Sequence, residues 1–355
     1  MTCICGLRSI SVGSDTESYY LFYKECVELD PSALLSRNSH YEKGFTIYNL
    51  IFAKLRISFF IYNLITSAFI IVPIVAFCFK YSNYPILSVC LYACFGCFTL
   101  NMSGIRQSLS CGICIISLLI SDLFKSKFLK FLPALLIIPA SLIHTSAIFF
   151  VFVYLLSFVR IRKRKTLFFF LIALLAYILL IPSAVSFGYY RFTDLYSSYS
   201  FDPPSGIITF SGTTLLSTVF LIVLVAFESF GYPMENSLSN RTLSRLRTPD
   251  LFSTQNESNN VVIFGYPFAL FLFQALFNLA DMHLKLASRL ALFGGVGFCV
   301  ILPNWLFRLL KGRNRKNFIW QVSLVILSCL YFYMTTLRMN YLNLMPYGIL
   351  GYVVL

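Results

Sequence analysis

Three arginines, one histidine and one glutamine stand where side-chain chemistry is possible in an otherwise apolar chain: Arg106 with Gln107, His144, Arg289 and Arg338. A guanidinium offers a planar fork of N–H donors that matches phosphate oxygens. An imidazole gives or takes a proton near neutral pH. Each of these residues falls at the edge of a long apolar run. An arginine at the centre of a bilayer costs about 2.5 to 3.5 kcal/mol on insertion scales and less near the interface, so these positions are tolerated but need a reason. A single one reads as an anchor that snorkels to lipid phosphate. Four polar sites at matching depth read instead as a positively lined cavity, open to the outer leaflet and suited to an anionic head group. His144, with the small neighbours Thr145 and Ser146, has two readings: an acid–base group, or a hydrogen bond from one helix to the next.

The elements that position these residues follow from composition. With 58% hydrophobic and 12% charged residues there is too little polar surface to coat a soluble globule of 355 residues. The expected fold is all-α, a polytopic transmembrane bundle of about ten helices, because helices satisfy their own backbone groups in lipid. The candidate spans are Ile57–Phe79, Pro85–Asn101, Gly104–Ser121, Leu129–Ile143, Thr145–Val159, Thr166–Phe187, Thr213–Phe230, Val261–Ala280, Ala287–Phe307 and Phe318–Leu337. Around His144 the alternative is one long kinked helix over Phe128–Val159, relaxed by Pro133 and Pro139.

Lys and Arg in short loops stay cytoplasmic, and the run Arg160–Lys165 (RIRKRK) is the clearest anchor. Alternation from it puts Lys80, Lys125, Lys127, Lys130, Arg241, Arg245, Arg247 and the stretch Arg308–Lys316 inside. Arg106, His144, Arg289 and Arg338 then face outside. Residues 1–56 become an external N-terminal segment, 57–337 the membrane domain and 338–355 an external C-terminal segment. The loop 188–212, rich in Tyr, Phe, Asp and Ser, is external; it reads as a rest for a sugar chain or as an interfacial aromatic belt. The loop 231–260 reads as a flexible cytoplasmic linker. Nothing in residues 1–56 is apolar enough for a first crossing, so a membrane helix missing from the start of the chain is expected.

The eleven cysteines sit mostly inside predicted helices and read as small hydrophobes. Cys3 and Cys5 form a CxC without a second ligand pair nearby, so no metal is expected. There is no phosphate loop, no GxGxxG after a strand and no HExxH, which argues against ATP-driven transport and metal-dependent hydrolysis. No mid-helix carboxylate cluster of the kind proton- or sodium-coupled carriers use is present. No nucleic-acid partner is expected.

Several stretches, in this order, resemble the EpsG-like family of Wzy-type repeat-unit polymerases. GLRSISVGSDTESYYLFY from Gly6 is similar to an external element of pattern R…GtDt..Y that follows the family's first membrane helix. YEKGFTIYNLI from Tyr41 resembles an E-P-G-[YF] element, with Lys43 where the family usually has Pro. GIRQSLSCGI from Gly104 resembles G.RQ.lA, and LIHTSAIFF from Leu142 resembles fH.SA. Arg289 with Leu302 and Pro303, and MPYGIL from Met345, resemble the C-terminal elements.

The resemblance implies an enzyme of the bacterial inner membrane that works on its periplasmic face. A growing glycan leaves undecaprenyl pyrophosphate and joins the non-reducing end of a new lipid-linked repeat unit, with a chain-length regulator as candidate partner. Charge on the departing pyrophosphate must be neutralised and a proton taken from the attacking hydroxyl. Arg106, Arg289, Arg338 and Arg8 suit the first task, with Gln107 as a hydrogen-bonder to sugar or phosphate. His144 suits the second, with Asp15 or Glu42 as alternatives. No cofactor is implied, since the pyrophosphate-linked donor is already activated. A ligase or other transferase using the same carrier lipid, or a non-enzymatic flippase, are the competing readings.

Overall fold

The computed structural model describes residues 1–37, 41–124, 126, 128–158, 160–161, 219–222, 262–263, 265–280, 289–309, 314–340, 342–345, 347–349 and 352–354. Over these residues the chain is mostly helical, with two short antiparallel strand pairs. Among them three helices are long and apolar enough to cross a membrane: Phe59–Tyr81, Arg289–Leu306 and Phe318–Arg338. Shorter apolar helices accompany them. The expected span Thr166–Phe187 and the loops 188–212 and 231–260 lie outside the described residues, as does Thr213–Phe230 apart from the helical stretch 219–222. The chain divides into two compact units, Met1–Tyr154 with Cys299–Leu355, and Leu155–Phe298.

In the first unit residues 1–56 form four short helices: α1 (Thr2–Gly6), α2 (Thr16–Glu28), α3 (Pro31–Ser36) and α4 (Lys43–Lys54). Helix α2 buries Tyr19, Phe22, Tyr23 and Cys26, the i, i+3, i+4, i+7 face of an amphipathic helix. Its rings meet that of Phe45 in α4 and that of Tyr41, two residues before α4, with Tyr19 to Phe45 at 5.7 Å and Phe22 to Tyr41 at 4.2 Å. Helix α3 starts with Pro31 behind Asp30, whose carboxylate accepts from the Ser32 N–H at 3.0 Å.

Helix α5 (Phe59–Tyr81) and α8 (Ile105–Ser121) run parallel. Gly6 sits against Leu64 near the start of α5, and Gly112 of α8 against Phe69 and Ile70 midway. At the far end Lys80 pairs with Asp122 at 3.2 Å, and Tyr81 donates to the same carboxylate. A Cβ on Gly112 would collide with the Phe69 carbonyl oxygen, so this glycine allows the close approach.

The chain returns between them through α6 (Pro85–Cys94) and α7 (Cys97–Ser103). Over the expected span Pro85–Asn101 the helix is broken: the two pieces are together apolar enough to cross a membrane and meet at 53°. Gly96, at φ +83°, takes the left-handed conformation that ends α6. Two boundaries also shift, since the span expected at Ile57–Phe79 is Phe59–Tyr81, and the helix expected over Val261–Ala280 starts only at Tyr266.

After α8 the segment Leu129–Leu136 is a 3-10 turn, wound tightly around Pro133, and α9 (Ile137–Ile143) continues it. Ser121 donates to the Lys130 carbonyl at 2.6 Å and Ser110 to the Ala140 carbonyl at 3.0 Å, so this segment climbs antiparallel to α8. At His144 the backbone is extended (φ −149°, ψ 115°). The next helices, Thr145–Phe150 and α10 (Val151–Phe158), descend again. Tyr154 and Ser117 share a hydrogen bond at 3.0 Å, and the Tyr154 ring lies 6.3 Å from that of Phe131. His144 therefore marks a reversal, which excludes a single kinked helix over Phe128–Val159.

The expected C-terminal segment, 338–355, folds back onto the N-terminal loop. Ser9 N–H donates to the Gly348 carbonyl at 2.6 Å, Gly13 N–H to Asn343 at 3.0 Å and Ser14 N–H to Leu342 at 3.1 Å. Its strands β3 (Tyr347–Ile349) and β4 (Tyr352–Val354) pair with each other. They are named after β1 (Arg160–Ile161) and β2 (Val262–Ile263), the antiparallel pair of the second unit. That unit also holds α11 (Tyr266–Ala280), against which Gly294 packs, with the rings of Phe220, Phe271 and Phe298 clustered at 5.5 to 5.9 Å. Helix α12 (Gly295–Leu309) and α13 (Asn314–Phe332) complete the helical elements among the described residues.

Candidate functional site

The antiparallel return of α9 along α8 brings His144 to the end of the bundle where α8 begins, and α4 starts at the same place. A Cβ on Gly44 would fall 2.5 Å from the Leu142 carbonyl oxygen, so only glycine lets α4 lie this close to α9. Glu42, immediately before α4, is the helix N-cap, yet its side chain makes no capping bond. It reaches instead across the junction. One carboxylate oxygen accepts from Arg106 Nη1 at 2.6 Å; the other meets His144 Nδ1 at 3.0 Å and the Thr145 N–H at 3.4 Å. The side chains of Glu42, Arg106 and His144 are only 19%, 21% and 16% exposed, so water screens the array weakly. The family's usual Pro would stand at the first residue of α4, where proline is favoured. Lys43 fills that place and the helix forms regardless, so Glu42 keeps its position.

Arg106 is held on two more sides. Its guanidinium lies over the Tyr41 ring, 4.9 Å from the centroid. The Tyr19 oxygen accepts from both the side chain and the backbone N–H of Arg106, and the latter belongs to the first turn of α8, where backbone donors look outside the helix for acceptors. Burial pushes the Tyr19 phenol up, with Arg106 opposing, so Tyr19 remains neutral. Burial also pushes the Glu42 carboxyl up, but the His144 hydrogen bond and the Arg106 charge outweigh it and bring it down to about 2. Glu42 is thus a fixed anion between two nitrogen groups.

The other expected site residues are distributed as follows. Gln107, beside Arg106, is buried in α8. Asp15 is exposed at the N-cap of α2, one turn before Tyr19. Arg8 is enclosed, 1% exposed; it donates to the Cys5 carbonyl and reaches the Cys5 sulfur at 3.4 Å and the Thr16 hydroxyl at 3.5 Å. Its place is a staple between α1 and α2 rather than a surface that a ligand meets, and burial lowers its pKa. Arg338 is exposed at the end of a π-helical turn, Tyr333–Arg338, that leads directly into the segment packed on Gly13 and Ser14. Arg289 lies in the second unit, exposed at the start of the helix Arg289–Leu306.

Tyr19, Tyr41 and the Thr145 N–H belong to the site but were not singled out from sequence. Tyr41 adjoins Glu42, and Tyr19 follows Asp15 by one helical turn, so both lay within the motif elements already quoted. Among the described residues no three His, Cys, Asp or Glu side chains form a group able to hold a metal ion.

The model of one family, described as EpsG family, matches residues 1–349. No curated protein and no solved structure matches. The match runs through the elements that carry Tyr19, Glu42, Arg106 and His144, and with the apolar helices it makes this a membrane protein of polysaccharide biosynthesis: the chain belongs to the EpsG family.

Proposed function

We propose that the chain polymerises lipid-linked oligosaccharide repeat units, of O-antigen or a related surface polysaccharide, on the periplasmic face of the bacterial inner membrane. It would cross that membrane about ten times. The growing glycan passes from undecaprenyl pyrophosphate to a newly delivered lipid-linked repeat. The observation that carries this reading is the Glu42 carboxylate held between His144 and Arg106, at the end of the bundle opposite Lys80 and Lys130.

Glu42 is a poor proton acceptor, because its carboxyl is brought down to about 2. It serves to orient. By accepting from Nδ1 it fixes the imidazole tautomer and leaves the Nε2 lone pair of His144 for the substrate. That nitrogen takes the proton of the attacking sugar hydroxyl as its oxygen bonds to the anomeric carbon. The anomeric C–O bond to pyrophosphate breaks, and its electron pair leaves with the lipid pyrophosphate. Arg106 stabilises the imidazolium–carboxylate array from the other side of Glu42. Arg338, exposed, supplies positive charge for the leaving group, and Gln107 hydrogen-bonds sugar or phosphate.

The test is deletion of the gene in its native host, followed by gel separation of surface polysaccharide. A polymerase predicts collapse of the ladder to a single repeat unit on the core. Complete loss of attached repeats would point to a ligase or a flippase, and retention of the full ladder would refute the reading.

A further inference from the structure

Helix α4 has an outward face that neither its packing nor the reaction accounts for. Ile47, Ile51 and Leu55, spaced at i, i+4 and i+8, are 48%, 55% and 66% exposed. Lys43 and Lys54, both exposed, follow one edge of this stripe, since eleven residues make about three turns of helix at 3.6 residues per turn; Lys54 Nζ also donates to the Leu29 carbonyl at 3.1 Å, which leaves two of its three N–H donors for a second partner. Arg56, also exposed, comes just after. The opposite face, Phe45, Thr46, Asn49, Leu50 and Ala53, is buried.

The depth of α4 is set by its partners. Tyr48 shares a hydrogen bond with Thr66 at 2.9 Å, and the rings of Tyr48 and Phe52 lie 5.7 and 5.4 Å from that of Tyr62. Both contacts fall in the first two turns of α5, whose own outward residues Ile61 and Phe69 are 53% and 48% exposed. At 1.5 Å per residue Lys43 and Lys54 stand about 16 Å apart along the α4 axis. Upright, the helix would carry one of them about halfway into the hydrocarbon, at a cost of up to about 2.5 to 3.5 kcal/mol. Lying flat, it keeps both at one depth, along the edge of the apolar stripe, and lets Ile47, Ile51 and Leu55 enter the hydrocarbon together.

We propose that α4 is an in-plane interfacial helix, with Ile47, Ile51 and Leu55 in the acyl chains of the leaflet around the start of α5, and Lys43 and Lys54 on lipid phosphates. Residues 1–56 are then no free external segment, because their last helix is part of the membrane-embedded body. Glu42 caps this helix, so the Glu42–Arg106–His144 array sits at head-group depth whatever reaction it performs.

The test uses the full chain reconstituted in phospholipid vesicles, with Trp305 and Trp320, its two tryptophans, replaced by Phe. Ile51→Trp is placed as the reporter and Lys43→Trp as its edge control. Lipid brominated on the upper acyl carbons should quench the Ile51→Trp reporter by more than about half, while aqueous acrylamide scarcely affects it. Lys43→Trp should respond more to acrylamide. Where the Phe replacements weaken folding, the difference between Ile51→Trp and the unaltered chain carries the same information. Strong acrylamide quenching without a bromolipid effect would overturn the proposal in favour of a water-facing helix. Insensitivity to both quenchers, with energy transfer between labelled copies, would overturn it in favour of a second chain covering the face.

Discussion

Replacing Glu42 by Gln keeps the shape of the side chain and one acceptor oxygen but removes the charge that faces both Arg106 and His144. The carboxyl is displaced from 4.5 to about 2. At 1.36 kcal/mol per pKa unit that difference corresponds to about 3 kcal/mol of preference for the ionised form in the folded protein. A folded pKa below the unfolded one means stability that is fully present above pH 4.5 and lost as pH falls toward 2. The expected outcome is that detergent-solubilised wild type loses Tm steadily from about pH 5 to pH 3, while Glu42→Gln starts lower at pH 7 and is flatter over that window. A double-mutant cycle with Arg106→Met, measured at pH 7, should return a coupling energy of about 1 to 3 kcal/mol. Thermal melts that keep the wild-type pH slope in Glu42→Gln, or a cycle that returns no coupling, would refute the electrostatic account of the site.

Four further outcomes are expected. With His144 as the proposed base, His144→Ala should lower repeat-unit polymerisation by about 100-fold or more with the protein still inserted and abundant, read as collapse of the polysaccharide ladder beside an immunoblot. Tyr19→Phe deletes only the oxygen that Arg106 donates to; a loss of about 1 kcal/mol should appear as a modest fall in Tm and in chain extension. Gly44→Val should push α4 away from the Leu142 carbonyl and part Glu42 from His144, abolishing chain extension, whereas Asp122→Asn, at the opposite end, should cost less than about 1 kcal/mol and leave the ladder intact.

The membrane character and the placing of Arg106 and His144 at the edges of apolar runs were legible because both rest on local signals: apolar length, and a polar residue at the end of an apolar stretch. The reversal at His144 was one of two sequence readings, and the contacts of Ser110, Ser121, Ser117 and Tyr154 along α8 decide between them. Glu42 was recognisable only as an alternative base, because no periodicity reveals that residues 64 and 102 positions away will share its carboxylate. The enclosure of Arg8 and the exposure of Arg338 are likewise tertiary outcomes. Arg8 is closed in by its bonds to Cys5 and Thr16, and Arg338 is left exposed at the end of its helix, and neither outcome follows from the local sequence. The break at Gly96 was hidden because a glycine within an apolar run reads equally as packing or as a kink.

The separation of the site's parts along the chain also sets a timetable. Glu42 emerges from the ribosome 102 residues before His144. At about 5 to 20 residues per second, it waits on the order of 5 to 20 seconds for its second partner. Until Arg106 follows, 64 residues after it, the carboxylate has no partner cation and must remain solvated, and a helix able to rest on the bilayer surface is a suitable waiting place. Assembly of the site is then a late event in biogenesis, and variants that slow the arrival of α8 or α9 should leave an inserted, inactive chain whose N-terminal helices stay open to protease.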